Sequence, residues 1–420
     1  MDMTRHYKDY SSADDCRTWW LNSPDFPLQR LGRIGIEVPR LCHHNQTKEK
    51  SPVTTITIGV DLAKQVFSIC EVNERGSVLQ RRELRRDGFT VWLAQVPAGT
   101  VVAMEACSGA HHWARRCLEH GLQPRLMAAQ FVTPFRKSCR TKNDRNDAEA
   151  IATAARQGNM RFVPAKTIDQ QTRLSWHRVR EGDKTESLSI SNRLRGLLAE
   201  FGVVLSQSDA ALRRGLADLS AYDLPAEMGE LLSDLTTHWQ AVQARIAAAD
   251  KRIEQHAKAD ERCLRVSGII GVGPLTSDAI VASIGTAQTF KNGRQLAAWL
   301  GITPRQHSSG GKSRLGGITH RGDAYLRTLL IQGARSSLQR AKAVPHEQAT
   351  PEQRWIQSLS SRMAFGKVLT AIANKHARQI WAMLARGEHY DPHAWLKHPM
   401  VQRAASKKSR LTNGSTVQNS

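Results

Sequence analysis

The sequence predicts an α/β region followed by a mainly helical one, and three observations carry that reading. Between Thr54 and Gln157, short β-branched and apolar runs alternate with stretches of helical length. From Met228 to Ile253, apolar residues recur at a strict four-three spacing, the seam of a long helix. The chain has 420 residues, 40% hydrophobic and 23% charged, which argues against wholesale disorder and leaves room for two to four domains.

Residues 1–52 lack sustained periodicity, are punctuated by Pro24, Pro27 and Pro39, and read as a poorly ordered extension. Residues 53–165 read as a unit. Three strands are expected at Thr54–Val60, Val66–Val72 and Ser77–Leu84, with a turn at Glu74-Arg75-Gly76. A helix over Gly88–Val96, a strand over Thr100–Glu105, a helix over His111–His120, a strand near Pro124–Met127 and a helix from Asp144 to Gln157 follow. The order βββαβαβα is that of a ribonuclease-H-like domain.

Residues 166–260 read as a helical arm. Met228, Leu232, Leu235, Trp239, Val242, Ile246, Ala249 and Ile253 form a coiled-coil seam, and Leu194, Leu197, Leu198 and Phe201 give an earlier helix an apolar face. Pairing within one chain or between two fits this pattern equally. In residues 261–398, Val266 to Gly273 reads as a glycine hairpin between two helices, where backbone N–H groups could meet a phosphate. Ile270 stands where a common helix-hairpin-helix carries proline, and a plain helix-helix turn reads as well. Residues 399–420 form a polar, basic tail expected to be disordered.

The net charge is +22, which points to a polyanionic partner, nucleic acid before membrane surface. The excess is +1 over residues 1–52, +6 over 53–165, −1 over 166–260 and +16 over 261–420. The longest uncharged run, Gly88 to Met104, is broken by Pro97 and Gly99 and is too short to span a bilayer. No charged-then-apolar leader opens the chain, and seven cysteines without a Cys-x-x-Cys pair suit reduced thiols, so a cytoplasmic location is expected. Cys42-His43-His44 lacks a second ligand pair at zinc-finger spacing and reads as a surface loop.

Four carboxylates stand out by position. Asp61 ends the first expected strand and Glu105 the fourth, and these ends could lie side by side in a mixed sheet. Asp144 and Asp147 are three apart on a helix, on the face shared by Ala148, Ile151 and Ala155. Acids on a core-facing side are costly unless paired or bound to metal, and carboxylates suit Mg²⁺ or Mn²⁺. Two such ions roughly 4 Å apart serve phosphoryl transfer. Singly, Asp144 could cap its helix and Asp147 could pair with Arg145 or Lys142; together the four favour a metal site.

A second constellation runs from Thr303 to Gly317 and on to His320-Arg321-Gly322. Glycines, basic residues and three serines let backbone approach phosphate closely. Gly310-Gly311-Lys312-Ser313 imitates the end of a P-loop, but Gln306 occupies the position that needs glycine. Ser309 and Lys312 match the serine-lysine spacing of penicillin-binding enzymes, whose Ser-Asp-Asn and Lys-Thr-Gly motifs are absent. Composition alone also allows a solvated basic loop.

Taken in order, Gly59-Val60-Asp61-Leu62-Ala63-Lys64, Met104-Glu105-Ala106, Lys142-Asn143-Asp144-Arg145-Asn146-Asp147-Ala148, Gly268-Ile269-Ile270-Gly271-Val272-Gly273 and Leu300-Gly301-Ile302-Thr303-Pro304-Arg305, running on to Ser308-Ser309-Gly310, resemble the DEDD transposases of the insertion-sequence one-ten family. The stretch from Trp176 to Gly202 is similar to its eleven-eleven subgroup. The likeness covers about residues 53–395 and leaves residues 1–52 outside. It implies a RuvC-like domain whose Asp61, Glu105, Asp144 and Asp147 bind divalent metal, and a C-terminal transposase domain whose serine attacks DNA. On the family pattern that serine is Ser309, not Ser308. It further implies an element-encoded guide RNA pairing with donor and target DNA, and a homo-oligomer, dimer or tetramer, with composite sites. Metal-activated Ser309 would then form a phosphoserine linkage, with Arg305, Lys312, Arg314 and Arg321 clamping backbone phosphates. The expected function is an RNA-guided, metal-dependent DNA recombinase with no membrane partner. The alternatives are a structure-selective endonuclease of the junction-resolvase type and a non-enzymatic RNA-binding scaffold.

Overall fold

The computed structural model describes residues 56–136, 144–312 and 314–393, all within the unit Thr54–Ser420. The extension 1–52 with its Cys42-His43-His44 run, and the tail 399–420, lie outside the described residues.

The strands are β1 (Thr57–Leu62), β2 (Val66–Val72), β3 (Val78–Arg85), β4 (Val101–Glu105), β5 (Gln123–Met127) and β6 (Phe162–Val163). They form one sheet in the order β3-β2-β1-β4-β5-β6. The β1–β2, β2–β3 and β5–β6 pairs are antiparallel, while β1–β4 and β4–β5 are parallel. At the β2–β3 turn, Asn73 Oδ1 accepts from the N–H groups of Arg75 and Ser77 at 3.0 and 2.9 Å, and Gly76 supplies φ +84°. The helices of this part are α1 (Arg86–Leu93), α2 (Ala110–Glu119), a short α3 (Ala129–Val132) and α4 (Asp144–Ala155), with a 3-10 turn at Thr133–Phe135. Helix α1 begins two residues before its expected start and stops at Leu93, three residues short of Val96. The two-residue β6 and the short α3 were too brief to leave a periodic signal.

Strand alternation sorts the two faces of the sheet. Ile58, Val60, Phe67 and Ile69 point toward α1 and α2, where Phe67, Phe89 and Trp113 meet edge to face with centroids 4.9–5.2 Å apart. Such contacts add about 0.5–1.5 kcal/mol each beyond burial. On the other face, Cys70, Val72, Ala103 and Met127 lie against α4 through Ala148, Ile151, Ala152 and Ala155. Gly59 is what lets α4 come so close. A Cβ there would stand 2.1 Å from the Ala148 carbonyl oxygen and 2.6 Å from Ala152 N.

Two long helices follow, α5 (Ile168–Glu200) and α7 (Ala226–Ala259), joined through α6 (Asp209–Ala217) and a 3-10 turn at Leu219–Ala221. A capping box starts α5: Thr167 Oγ1 accepts from Gln170 N and the Gln170 side chain accepts from Thr167 N. The cross-helix pairs Trp239–Ser187, Arg245–Asp183 and Arg180–Asp250 run in opposite senses, so α5 and α7 are antiparallel neighbours in one chain. All eight seam residues from Met228 to Ile253 are buried or half-buried.

The last region is mainly helical: α8 (Glu261–Val266), α9 (Pro274–Ile284), α10 (Gly293–Trp299), α11 (Ala324–Ala343), α12 (Pro351–Arg362) and α13 (Phe365–Arg386). One core holds it, including Val266, Ile280, Leu296, Leu330, Leu338, Ile356, Ile372 and Ile380. The glycine turn between α8 and α9 packs on α11. A Cβ on Gly271, where φ is +89°, would meet the Gly333 carbonyl oxygen at 2.2 Å, and the Ser337 hydroxyl donates to Ile270 O. Helix packing therefore accounts for Gly271. The serine-bearing segment is a two-stranded antiparallel hairpin of β7 (Pro304–Gln306) and β8 (Leu315–Ile318), not an open loop. Among the described residues no helix is long and apolar enough to cross a membrane.

Candidate active site

Two places assemble the chemistry-bearing residues. The first is an edge of the sheet. The β1–β4 register ends at Val60 beside Met104, so the next residues on the two parallel strands are Asp61 and Glu105. Asp61 shares the face of Gly59, and Glu105 that of Ala103, which is the side covered by α4. Asp147, 6% exposed, precedes Ala148, the residue whose carbonyl abuts Gly59. Asp144 is the first residue of α4, and its side chain lies outside the described atoms.

A cation already sits among these acids. Arg136, directly after the 3-10 turn, donates from Nη2 to Glu105 Oε1 at 3.3 Å and places Nε 3.0 Å from Asp147 Oδ1. The second pair is close in distance but not aligned as a hydrogen bond, which leaves the buried Nε without one. Asp147 thus pairs with Arg136, a partner that spacing along the chain did not suggest. Cys107 borders the same edge. Desolvation by its neighbours, then the charges of Asp61 and Glu105, push its thiol up.

Carboxylates at one sheet edge, two of them (Glu105 and Asp147) paired to one cation, have the chemistry that fits a hard divalent ion. Asp61, Glu105 and Asp147 would be its described ligands. Among the described residues, no three His, Cys, Asp or Glu side chains are gathered closely enough to hold an ion in this arrangement.

The second place is the tip of the hairpin. Ser309 and Lys312 flank a two-residue turn in which Gly310 and Gly311 have φ of +55° and +78°, the requirement of a tight type I′ reversal. Lys312 N donates to Ser309 O at 3.0 Å. The hydroxyls of the two neighbouring serines differ. Ser308 Oγ accepts from Gln306 Nε2 at 3.0 Å and from Arg314 N at 3.2 Å. Ser309 is exposed, and no described residue bonds to its hydroxyl. Arg305, Lys312, Arg314 and Arg321 are all exposed, and none forms an ion pair with a described residue. The hairpin's base is fixed firmly: Thr319 N donates to Thr303 O, Gly301 passes against Arg321 and Gly322 against Trp299. Among the described residues, Glu105 and Asp147 pair with Arg136, and no hydrogen bond or ion pair joins the hairpin to either of these two acids.

A third cluster escaped sequence reasoning. Asp278, fully buried on α9, receives Arg173 Nε and Nη2 at 2.8 and 2.6 Å on Oδ1 and His177 Nε2 at 2.8 Å on Oδ2. With Nε2 donating, His177 Nδ1 accepts from the Tyr325 hydroxyl at 2.9 Å. Arg173 Nη1 also donates to Asp260. Although burial alone would raise it, hydrogen bonds from Arg262 and Arg173 hold the Asp260 carboxyl well below the carboxylate range. The cluster ties α5 to α9 and to the first turn of α11, two residues after its cap Asp323. The single charged residue of the Pro274–Ile284 segment, an acid among mostly apolar and small residues, was the available signal.

Comparison with known proteins places this geometry. A transposase profile of the DEDD type matches residues 58–202, and the profile described as the transposase IS116/IS110/IS902 family matches residues 263–349. The molecule is thus of the DNA-cleaving and rejoining class, a transposase. A Pseudomonas aeruginosa protein described as a probable family 20 transposase is 43% identical over 80% of this chain and 98% of its own length. The transposase for insertion sequence element IS1111A of Coxiella burnetii is 39% identical, covering 79% of this chain and 90% of its own. The transposase for element IS1328 of Yersinia enterocolitica is 36% identical over 79% and 97%. The chain belongs to the IS110 family of DEDD transposases. A domain of that type implies DNA as substrate and a divalent metal requirement.

Proposed function

We propose that this transposase cuts and rejoins DNA through Ser309, with Asp61, Glu105, Asp144 and Asp147 holding Mg²⁺ or Mn²⁺ and an element-encoded RNA selecting the DNA. The observation that carries this reading is the contrast between two adjacent hydroxyls. Ser308 is tied into its own hairpin, whereas Ser309 stands exposed at the tip of a hairpin that carries, from turn to base, four exposed cations that no described acid neutralises.

Arg305, Lys312, Arg314 and Arg321 hold the DNA backbone against the hairpin. A bound divalent ion supplies an acidified oxygen nucleophile and a neutralised leaving oxygen. Ser309 Oγ loses its proton and forms a bond to phosphorus; the bridging P–O bond of the strand breaks, and the released sugar hydroxyl takes up a proton. The serine ester retains the phosphodiester energy, so a second hydroxyl can reverse the step on a new strand. A composite site in a homo-oligomer, dimer or tetramer, is what the resemblance to the family implies. Charge concentrated on the backbone-binding region, with sequence choice left to base pairing, supports the RNA-guided reading. The antiparallel α5–α7 pair supports a coiled-coil arm within one chain, and the assignment of residues 53–165, 166–260 and 261–398 as three domains. Phosphate binding at the Gly268–Gly273 turn has less support, since packing explains Gly271.

Denaturing gels of reactions trapped with cognate DNA and RNA test the serine step. A protein–DNA adduct is expected with the natural chain and with Ser308→Ala, and none with Ser309→Ala. Free DNA ends alone from the natural chain would instead establish hydrolysis of the junction-resolvase type.

A further inference from the structure

The geometry points to Arg136 as an internal counter-cation that occupies the acidic edge and is displaced by the divalent ion. This rests on the carboxylate reading above and adds a residue that sets how readily metal is taken up.

Three acids, Asp61, Glu105 and Asp147, are brought to one edge by the β1–β4 register and by the approach of α4 over Gly59. Gathering carboxylates in partly dehydrated surroundings is unfavourable unless positive charge is delivered with them. Arg136 delivers it. Its backbone follows the Thr133–Phe135 turn, which is anchored because Val132 is buried and Phe135 packs against the core cluster formed between α4 and the sheet. The side chain is 29% exposed, against 16% for Glu105 and 9% for Asp147. Its two nitrogens serve acids on different elements, Glu105 on β4 and Asp147 on α4, so one guanidinium bridges sheet and helix.

The form of the pairing makes it exchangeable. A fork of two parallel N–H bonds to one carboxylate would be strong; here one nitrogen reaches each acid, and the Nε contact is not aligned. A divalent ion carries twice the charge and takes carboxylate oxygens at roughly 2.0–2.6 Å. An ion drawing on these carboxylates would meet the guanidinium's positive charge beside Glu105 Oε1 and Asp147 Oδ1, and that repulsion favours its release. Metal uptake and release of Arg136 are then one exchange, and the ion's apparent affinity carries the cost of moving the arginine.

The test uses the full chain and Mn²⁺ alone, without nucleic acid. Mn²⁺ binding is followed by electron paramagnetic resonance of the free ion and by thermal unfolding across a titration. Arg136→Gln is expected to lower the half-saturating Mn²⁺ concentration roughly fivefold, the scale of one partly screened ion pair. Its unfolding temperature should fall below that of the natural chain without metal and converge with it at saturation. Arg136→Lys, which keeps the charge and loses the bridge, should fall between and serves if the glutamine variant does not fold. Asp61→Asn should abolish the metal response.

A half-saturation unchanged or raised in both Arg136 variants, with the response still lost in Asp61→Asn, overturns the counter-cation role and leaves the carboxylate reading standing. An equal fall in unfolding temperature with and without Mn²⁺ also overturns it, because a purely structural arginine would act so. No Mn²⁺ response in the natural chain overturns both.

Discussion

The acidic sheet edge and the serine hairpin reach order by opposite physical routes. At the edge, position comes from lack of space: β1, β4 and α4 are pressed together through Gly59 and a row of alanines, and the acids go where the backbones go. At the hairpin, position comes from backbone conformation: a glycine turn projects Ser309 into solvent, with little packed around it. A crowded edge suits a site that must hold charge in fixed geometry, and a bare projection suits a group that must reach into DNA. The two glycine sets therefore answer to different rules, one steric and one torsional.

The largest predicted effect falls on the buried joint between α5 and α9. Asp278→Ala leaves Arg173 buried beside a lost partner and should cost about 3–5 kcal/mol in chemical denaturation; a loss under about 1 kcal/mol would mean that the joint does not tie α5 to the helical region. Next, Gly59→Ala should lower stability by about 1–3 kcal/mol through overpacking and abolish strand transfer. Its counterpart Gly310→Ala, with open space around the added methyl, should cost about 1–2 kcal/mol confined to the turn. Equal responses of global stability to the two would erase the contrast.

A pH effect comes third. Burial holds the His376 imidazole at about 4, against an ordinary 6.5, so below 6.5 the unfolded chain takes up protons that the folded one refuses. Stability is expected to be constant above that value and to decline as pH falls toward about 4, with a shallower decline in His376→Gln, read from denaturation midpoints across pH. The smallest effect is electrostatic. Arg305→Gln should reduce the steepness of the log affinity against log salt plot for DNA by about 0.9, one phosphate contact, without changing the unfolding midpoint.

Most of the sheet region was legible because its strands are long enough to alternate and its Glu74-Arg75-Gly76 turn carries a glycine. The eight-residue seam of α7 was legible for the same reason, although only the structure shows its partner to be α5 of the same chain. Of the candidate site, the strand-end positions of Asp61 and Glu105 and the helical position of Asp147 were readable, and the neighbourhood of Asp61 and Glu105 follows from the parallel β1–β4 register. Arg136 was not, because its role depends on a 3-10 turn too short to leave a pattern. The hairpin hid behind its composition: three- and four-residue strands rich in glycine and arginine look like loop. Asp278 lies 105 residues from Arg173 and 101 from His177, and nothing local announces their meeting.

That meeting has a mechanical side. Helix α5 has 33 residues, and at 1.5 Å per residue its far end at Glu200 stands about 40 Å from the anchor at Arg173 and His177. A tilt of about five degrees at the anchor would sweep that far end through roughly 3–4 Å, more than the length of a hydrogen bond. The salt-bridged root therefore sets the aiming precision of the whole arm, so that whatever the tip touches inherits its alignment from one buried aspartate.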